Sequence, residues 1–488
     1  MVLHKGPIIK VLSAVTVVVG AAMLLPMLVS LYYGERSEAS AFLLCSGPMI
    51  LGGYIVGRIT VVSEKSTIRT RDGFFIVGVA WLSMSLLGAL PFVLSGSIPN
   101  VIDAYFETAS GFTTTGASIL TDIEAMSKGM LFWRSFTHWL GGMGILVLTV
   151  ALLPMLGIGG QRILRAETTG PTMDKISFTV NETARTLYKI YAGMTVIQIA
   201  LLLLGGLTLY DASVHTFGTV GTGGFSNYAA SVGAYDSFYV DMVIGIFMAA
   251  AGVNFTLYHY LLTGKIRQFF EDFELRKYLT IIGASTLFIT AMLLWKGFYD
   301  DPIESFRYAF FQVSSIITTT GYATADFDLW PASCKMILLM LMIIGACASS
   351  TGGGIKVIRT ALIFKLIKRG AYRRLHPSAV VPMRAGDRSM SPEVMSGVAG
   401  FVLLYAFTTV ISILLISFEN VDLITAVSSV IACISNIGPG FEMVGPTLNY
   451  AFFSGASKML LSLLMIAGRL ELFTVILLFT PIFWNRNK

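Results

Sequence analysis

Charge is what this chain has least of. Of its 488 residues, 13% are Asp, Glu, Lys or Arg, against the ~25% of a soluble domain. Hydrophobic residues make up 55% and the mean hydropathy is +0.75, which excludes a single water-soluble core and points to a polytopic membrane protein. Cysteine is sparse too. Cys45, Cys334, Cys347 and Cys433 stand apart without C-x-x-C spacing, so packing suits them better than metal binding or a disulfide framework. No G-x-x-x-x-G-K-[ST] and no strand-led G-x-G-x-x-G occurs; no nucleotide is expected on this chain itself, and one that regulates it must sit on a partner. No nucleophile–base pair supports an enzyme. The net charge of +6 is modest, and no nucleic-acid partner is expected. Also missing is the chain of intramembrane Asp, Glu and His that a proton relay needs. Glu107, His138 and His215 read as solvent-side or packing residues.

What is there is apolar length. Ten segments suit full spans: 8–31, 42–62, 74–96, 130–157, 187–210, 238–263, 279–297, 333–364, 394–418 and 456–484. Within the first, the apolar run from Val11 to about Leu31 follows Lys5 and Lys10 and is about twice a signal-peptide core, so it is expected to be a retained membrane helix. Four shorter pieces lie between spans, at about 101–112, 211–219, 303–316 and 421–434. They are too short to cross ~30 Å of hydrocarbon and read as re-entrant helices buried in protein. Basic residues gather at Lys65–Arg71, Arg162–Lys175, Lys265–Lys277, in 365–388 and at Arg486 and Lys488, while the opposite loops carry Asp103, Asp211, Asp236, Asp300, Asp301, Glu304, Glu419 and Asp422. The positive-inside rule then puts both termini in the cytoplasm and the short helices on the outer side.

Each short helix runs into a similar phrase: SGFTTTGAS (110–118), TVGTGGFSN (219–227), ITTTGYA (317–323) and ISNIGPG (434–440). Aligning Gly116, Gly223, Gly321 and Gly438 gives a long-period repeat of span, short helix, glycine-bearing segment and span. Its four copies share one orientation and would close around an axis along the membrane normal. Backbone carbonyls from four such segments replace the hydration shell of a cation. Glycine supplies the backbone freedom, and the helix C-terminal ends add partial negative charge.

In these motifs the chain resembles the TrkH/TrkG/KtrB/HKT superfamily of potassium transporters, and its two extra N-terminal spans make it more similar to the TrkH branch. The resemblance covers essentially the whole chain. It implies an all-α polytopic fold: two N-terminal transmembrane helices (1–70), then four helix–pore-helix–helix repeats (71–175, 176–275, 276–390 and 391–488) around a pseudo-fourfold pore. It also implies K⁺ uptake across the bacterial inner membrane, a homodimer in the lipid bilayer, and gating by a cytoplasmic TrkA-type ring that binds NAD(H), ATP or ADP. The filter positions implied are Thr114, Thr115 and Gly116; Val220, Gly221, Thr222 and Gly223; Thr319, Thr320 and Gly321; and Asn436, Ile437 and Gly438. The fourth departs from Thr-Gly. A symporter coupling K⁺ to H⁺ or Na⁺ by alternating access is the alternative reading.

Two features lie below the filter. The eighth span carries four glycines between Gly345 and Gly354, each costing about 1 kcal/mol against alanine in a helix. Close helix packing is one explanation. The family implies instead an intramembrane gate at Ala346–Gly353, with Gly345, Ala346, Ser349, Ser350, Thr351, Gly352 and Gly353 as its residues. Arg469, inside the tenth span, costs roughly 2.5–3.5 kcal/mol on insertion scales. Either it makes a structural ion pair or, as the family implies, it projects into the pore as a barrier to cations, with Lys356 affecting the same route. Glu471, two residues on, is expected to point elsewhere.

Overall fold

The computed structural model describes residues 3–61, 69–144, 180–386 and 388–485. The continuation of the fourth span to residue 157, the cluster Arg162–Lys175, most of Lys65–Arg71, and Arg486 and Lys488 lie outside them. The helices are α1 (Lys5–Ala22), α2 (Leu24–Tyr32), α3 (Arg36–Ile59), α4 (Thr70–Ser95), α5 (Val101–Phe112), α6 (Lys128–Gly142), α7 (Val180–Leu204), α8 (Leu209–Val220), α9 (Phe238–Ala251), α10 (Phe255–Leu262), α11 (Ile266–Glu271), α12 (Phe273–Trp295), α13 (Pro302–Ile317), α14 (Ala332–Ile344), α15 (Val357–Leu375), α16 (Pro392–Ile416), α17 (Leu423–Ile434), α18 (Gly455–Arg469), α19 (Phe473–Leu478) and α20 (Pro481–Trp484). A small antiparallel pairing joins β1 (Arg384–Ala385) to β2 (Arg388–Ser389).

Six of the ten expected spans are continuous among the described residues: α1 with α2, α3, α4, most of α7, α12 and α16. At 1.5 Å per residue, 23 residues reach about 35 Å, enough for the hydrocarbon layer. The protein is a multi-pass membrane protein. Leu403, Phe407, Val410 and Leu414 on α16 are exposed at helical spacing, forming an apolar stripe that faces lipid. The small break between α1 and α2 falls where Pro26 removes the N–H that would donate to Ala22.

The remaining four expected spans are broken. In place of a straight 238–263, α9 and α10 meet at 99°, with Asn254 accepting from the Thr256 N–H to start the second. The segment 333–364 is α14, an irregular stretch, then α15. The segment 456–484 splits at Glu471 and Leu472, both at positive φ. The helix begun at Lys128 ends at Gly142, and Gly144 has φ +67°. Small and polar residues at these places leave backbone groups that only neighbouring protein satisfies.

The N-terminal pair is fastened to the rest by a cap. The Ser127 side chain does not cap α6; instead the Glu35 carboxylate, in the α2–α3 turn, accepts from the Lys128 and Gly129 N–H groups at 2.7 and 2.9 Å. Glu35→Ala is expected to destabilise the protein by about 1 kcal/mol, as loss of an N-cap does. A lowered unfolding temperature in detergent, with transport per folded molecule unchanged, checks it.

Candidate functional site

The short helices α5, α8, α13 and α17 are almost entirely buried at their C-terminal halves. Each has a side-chain N-cap: Asn100, Thr208, Asp301 and Asp422. Their C-terminal ends repeat one hydrogen-bond pattern. The N–H groups of Thr114, Thr222, Thr319 and Asn436 donate three residues back, to Gly111, Thr219, Ile316 and Cys433. The next N–H groups, of Thr115, Gly223, Thr320 and Ile437, donate five back, to Ser110, Gly218, Ser315 and Ala432. This is a Schellman stop, whose left-handed residue is ordinarily glycine. Here the left-handed positions hold Thr114 (φ +55°), Thr222 (+56°), Thr319 (+57°) and Asn436 (+59°). Threonine there is strained by about 1–3 kcal/mol and persists only where its surroundings hold it. Asparagine is the easier occupant. The fourth segment, which departs from Thr-Gly in wording, matches the other three in backbone.

Two residues on comes a second left-handed position, held by Gly116 (φ +79°), Gly224 (+81°), Gly321 (+83°) and Gly438 (+98°). The sequence alignment had placed Gly223 in this set. The structure shifts the second segment by one residue: Gly224 is the counterpart of Gly116, and Gly223 that of Thr115. Val220 closes α8 and Gly221 caps it, so both belong to the helix end rather than to the extended strand. A methyl on Gly223 would run into the His138 ring, whereas the four left-handed glycines face one another's carbonyls. A methyl on Gly116 would collide with the Gly223 oxygen, on Gly224 with that of Thr320, on Gly321 with that of Ile437, and on Gly438 it would lie 2.6 Å from that of Thr115. These neighbour relations run from each segment to the next and return to the first. All four glycines line one cavity of about 100 Å³.

Side chains tie the ring together. Asn436 Nδ2 donates to Thr115 Oγ1 at 2.9 Å and to the Met465 carbonyl at 2.8 Å. Thr113 and Thr115 share a hydroxyl hydrogen bond at 2.8 Å, as do Thr318 and Thr320. Thr114 Oγ1 and Asn436 Oδ1 are buried without a hydrogen-bond partner.

The stretch 345–356 lies directly against this ring. The Gly353 N–H donates to Thr319 Oγ1 at 2.7 Å, and methyls on Gly352 and Gly353 would strike the Thr318 and Ser435 carbonyls. Gly345, Ser349 and Gly354 hold positive φ. Ser350 Oγ donates to the Cys347 carbonyl at 2.6 Å, Thr351 Oγ1 to that of Ala251 at 3.2 Å, and the Val357 N–H to the Ala346 carbonyl at 3.1 Å.

The buried Lys356 ammonium donates to the Gly352 carbonyl and, at 3.4 Å, to that of Gly353; it belongs to the loop rather than lying beneath it. Arg469, at the end of α18, donates to the Thr351 carbonyl and to those of Gly141 and Gly142, the latter two at 2.6 and 2.7 Å. It therefore bridges the loop and the C-terminal end of α6, where a cation is favoured. Glu471 pairs with Arg359.

Sequence reasoning gave no reading for two residues here, Glu274 and Arg134. Glu274, at the start of α12, accepts from the N–H groups of Ala348 and Ile358 at 2.8 and 3.0 Å, holding both flanks of the loop. Glu107 and Arg134, 1% and 2% exposed, form an ion pair at 2.7 Å. Of the two roles expected for Glu107, His138 and His215, solvent-side or packing, burial excludes the first: all three are buried and hydrogen-bonded. The available signal was a lone charge in a buried helix, which marks function or a partner.

A family profile described as "TrkH: Cation transport protein" matches residues 55–485. The chain is 37% identical over 490 residues to the Trk system potassium uptake protein TrkH of Salmonella typhimurium, covering 99% of this chain and 100% of that one. To the Trk system potassium uptake protein TrkG of Escherichia coli K12 it is 36% identical, covering 95% of each. The crystal structure of the potassium transporter TrkH from Vibrio parahaemolyticus matches it with a TM-score of 0.88 at 34% identity, covering 99% of this chain and 100% of that chain.

Proposed function

Because the chain belongs to the TrkH family of cation transport proteins, we propose that it carries potassium into a bacterial cell through a channel-like pore. The walls of that pore are residues 114–116, 222–224, 319–321 and 436–438. The observation that carries this reading is the ring of four left-handed glycines, each against the carbonyl preceding the next strand's glycine. Such carbonyls substitute for water around a cation, and the C-terminal ends of α5, α8, α13 and α17 add partial negative charge. Each wall belongs to one of four units, 71–175, 176–275, 276–390 and 391–488, preceded by the N-terminal pair 1–70. One wall has glycine where two have threonine and the fourth isoleucine, so the cage is uneven. K⁺ and Rb⁺ are expected to pass in clear preference to Na⁺, with moderate discrimination. Tracer flux into liposomes checks this; Na⁺ carried as well as K⁺ would defeat it. Strict coupling to a co-ion would replace the channel-like reading with the symporter.

The loop 345–356 is the gate in this reading. Lys356 and Arg469 hold it shut by occupying its carbonyl oxygens and put positive charge on the ion's route. The protein is assigned to the inner membrane with both termini cytoplasmic, as a homodimer regulated by a TrkA-type ring. A cavity of about 520 Å³ lined by Lys365, Lys368, Arg369 and Arg384 suits an acidic surface of that ring and follows directly from the gate-bearing helix.

A further inference from the structure

Glu107 lies behind the proposed cage and Arg134 reaches the cavity that the four glycines line; their burial calls for an explanation. A buried ion pair adds little net stability, because desolvation offsets the attraction. Its remaining hydrogen bonds show what it does hold. The Glu107 carboxylate also accepts from the Ile119 N–H at 3.0 Å and from Ser118 Oγ at 3.0 Å, both just beyond Gly116. Arg134 reaches the neighbouring strand. Its Nη1 donates to the Ser226 carbonyl at 3.2 Å, just beyond Gly224, and its guanidinium lies 4.0 Å from the centre of the Phe225 ring. The pair therefore grips the outer ends of strands one and two together.

The corresponding positions on the other short helices, at the same offset before the left-handed glycine, are His215, Gln312 and Ser429. His215 Nε2 lies 3.0 Å from Ser226 Oγ, Gln312 makes a long bond of 3.4 Å to the Ala325 carbonyl, and Ser429 Oγ donates within its own helix. Only the first position carries a charge, and only there does the polar group join two strands.

We propose that Glu107 and Arg134 are positioning residues for ion selection: by fixing the outer ends of strands one and two, they keep the Thr115 and Gly223 carbonyls apart at the spacing a K⁺-sized ion requires. This rests on the pore reading above. Neither residue supplies an oxygen to the ring. A cage free to close accommodates the smaller Na⁺, so loosening the strut lowers discrimination before it lowers flux.

The test measures Rb⁺ and Na⁺ influx by the full-length protein in liposomes, normalised to folded protein. Glu107→Gln keeps the shape and one acceptor but loses the charge; Arg134→Lys keeps the charge but loses the planar fork that serves two strands. Both are expected to lower the Rb⁺/Na⁺ ratio several-fold, with Rb⁺ influx largely retained. Ser118→Ala removes, at nearly constant volume, the hydroxyl that bonds Glu107, Arg134 and the Leu120 N–H but leaves the ion pair in place, and is expected to lower the ratio less; it decides the matter if the charge variants do not fold. Unchanged ratios alongside a lowered unfolding temperature would overturn the proposal and leave the pair a structural role. A wild-type protein without Rb⁺/Na⁺ discrimination would instead overturn the pore reading and this proposal with it.

Discussion

Gly321→Ala is expected to abolish potassium uptake while the protein still reaches the membrane. Gly321 has φ +83°, where an L side chain costs on the order of 1–2 kcal/mol. Its new methyl would fall on the Ile437 carbonyl oxygen and lie 2.8 Å from Pro439 Cδ. Neither neighbour is a flexible side-chain end, so the backbone of the fourth strand must shift, adding roughly 1–3 kcal/mol of overpacking. Even ~1.4 kcal/mol is a tenfold change in an equilibrium, and the shift displaces an oxygen proposed to hold the ion. Gly297→Ala is the control. Gly297 has φ +65° with open space around it, so its variant carries the backbone strain without the collision and is expected to transport normally. Equal uptake by the two variants would dissociate the glycine ring from permeation.

Arg469→Ala is expected to raise flux measured without the regulatory ring, and Arg469→Lys separates two reasons for that rise. As a pure electrostatic barrier, the arginine is replaced adequately by lysine. As a bridge it is not: one planar guanidinium reaches the loop at Thr351 and the α6 end at Gly141 and Gly142, a geometry that a point-like ammonium does not reproduce. Losing the one charge-assisted bond to the loop, about 1.5 kcal/mol, shifts the loop's closed–open balance by about tenfold. The bridge therefore predicts raised flux for lysine as well as alanine, whereas near wild-type flux for lysine would favour the barrier. A fall in flux for both, at normal expression, would make Arg469 a structural residue. Single-channel recording reads the difference as open probability rather than conductance.

The two predictions draw differently on sequence and structure. Gly321 was legible from the start, because a Thr-Thr-Thr-Gly phrase after a helix too short to span lipid has few uses. The second strand was harder. Thr222-Gly223-Gly224 offers two glycines, and wording alone aligned Gly223. What settles the register is the α8 end, whose Schellman bonds start from Thr222, and the His138 ring, which occupies the space beside Gly223. The fourth strand departs from Thr-Gly at Ile437, yet its Asn436 holds the same left-handed backbone as the three threonines, and more easily than threonine does.

Arg469 was visible as a charge in an apolar segment, but its partners were not. They are carbonyls from α6 and from the loop, far away in sequence, and carbonyls leave no trace in residue identity. Glu274 was missed for the same reason, since both groups it accepts from are backbone N–H. The continuous helices expected at 238–263 and 456–484 failed where hydropathy carries no information about hydrogen bonds.

Apolar length, the four short helices and the glycine-bearing phrases that follow are local features, and the sequence by itself determined them: lipid admits few backbone conformations, and left-handed positions admit few residues. The register of the second strand, the breaks in four helices, the loop's attachment to Arg469 and Glu274, and the burial of Glu107 against Arg134 were decided only by the tertiary structure. Each depends on which distant backbone group comes within hydrogen-bonding reach, and that is a property of the packed chain.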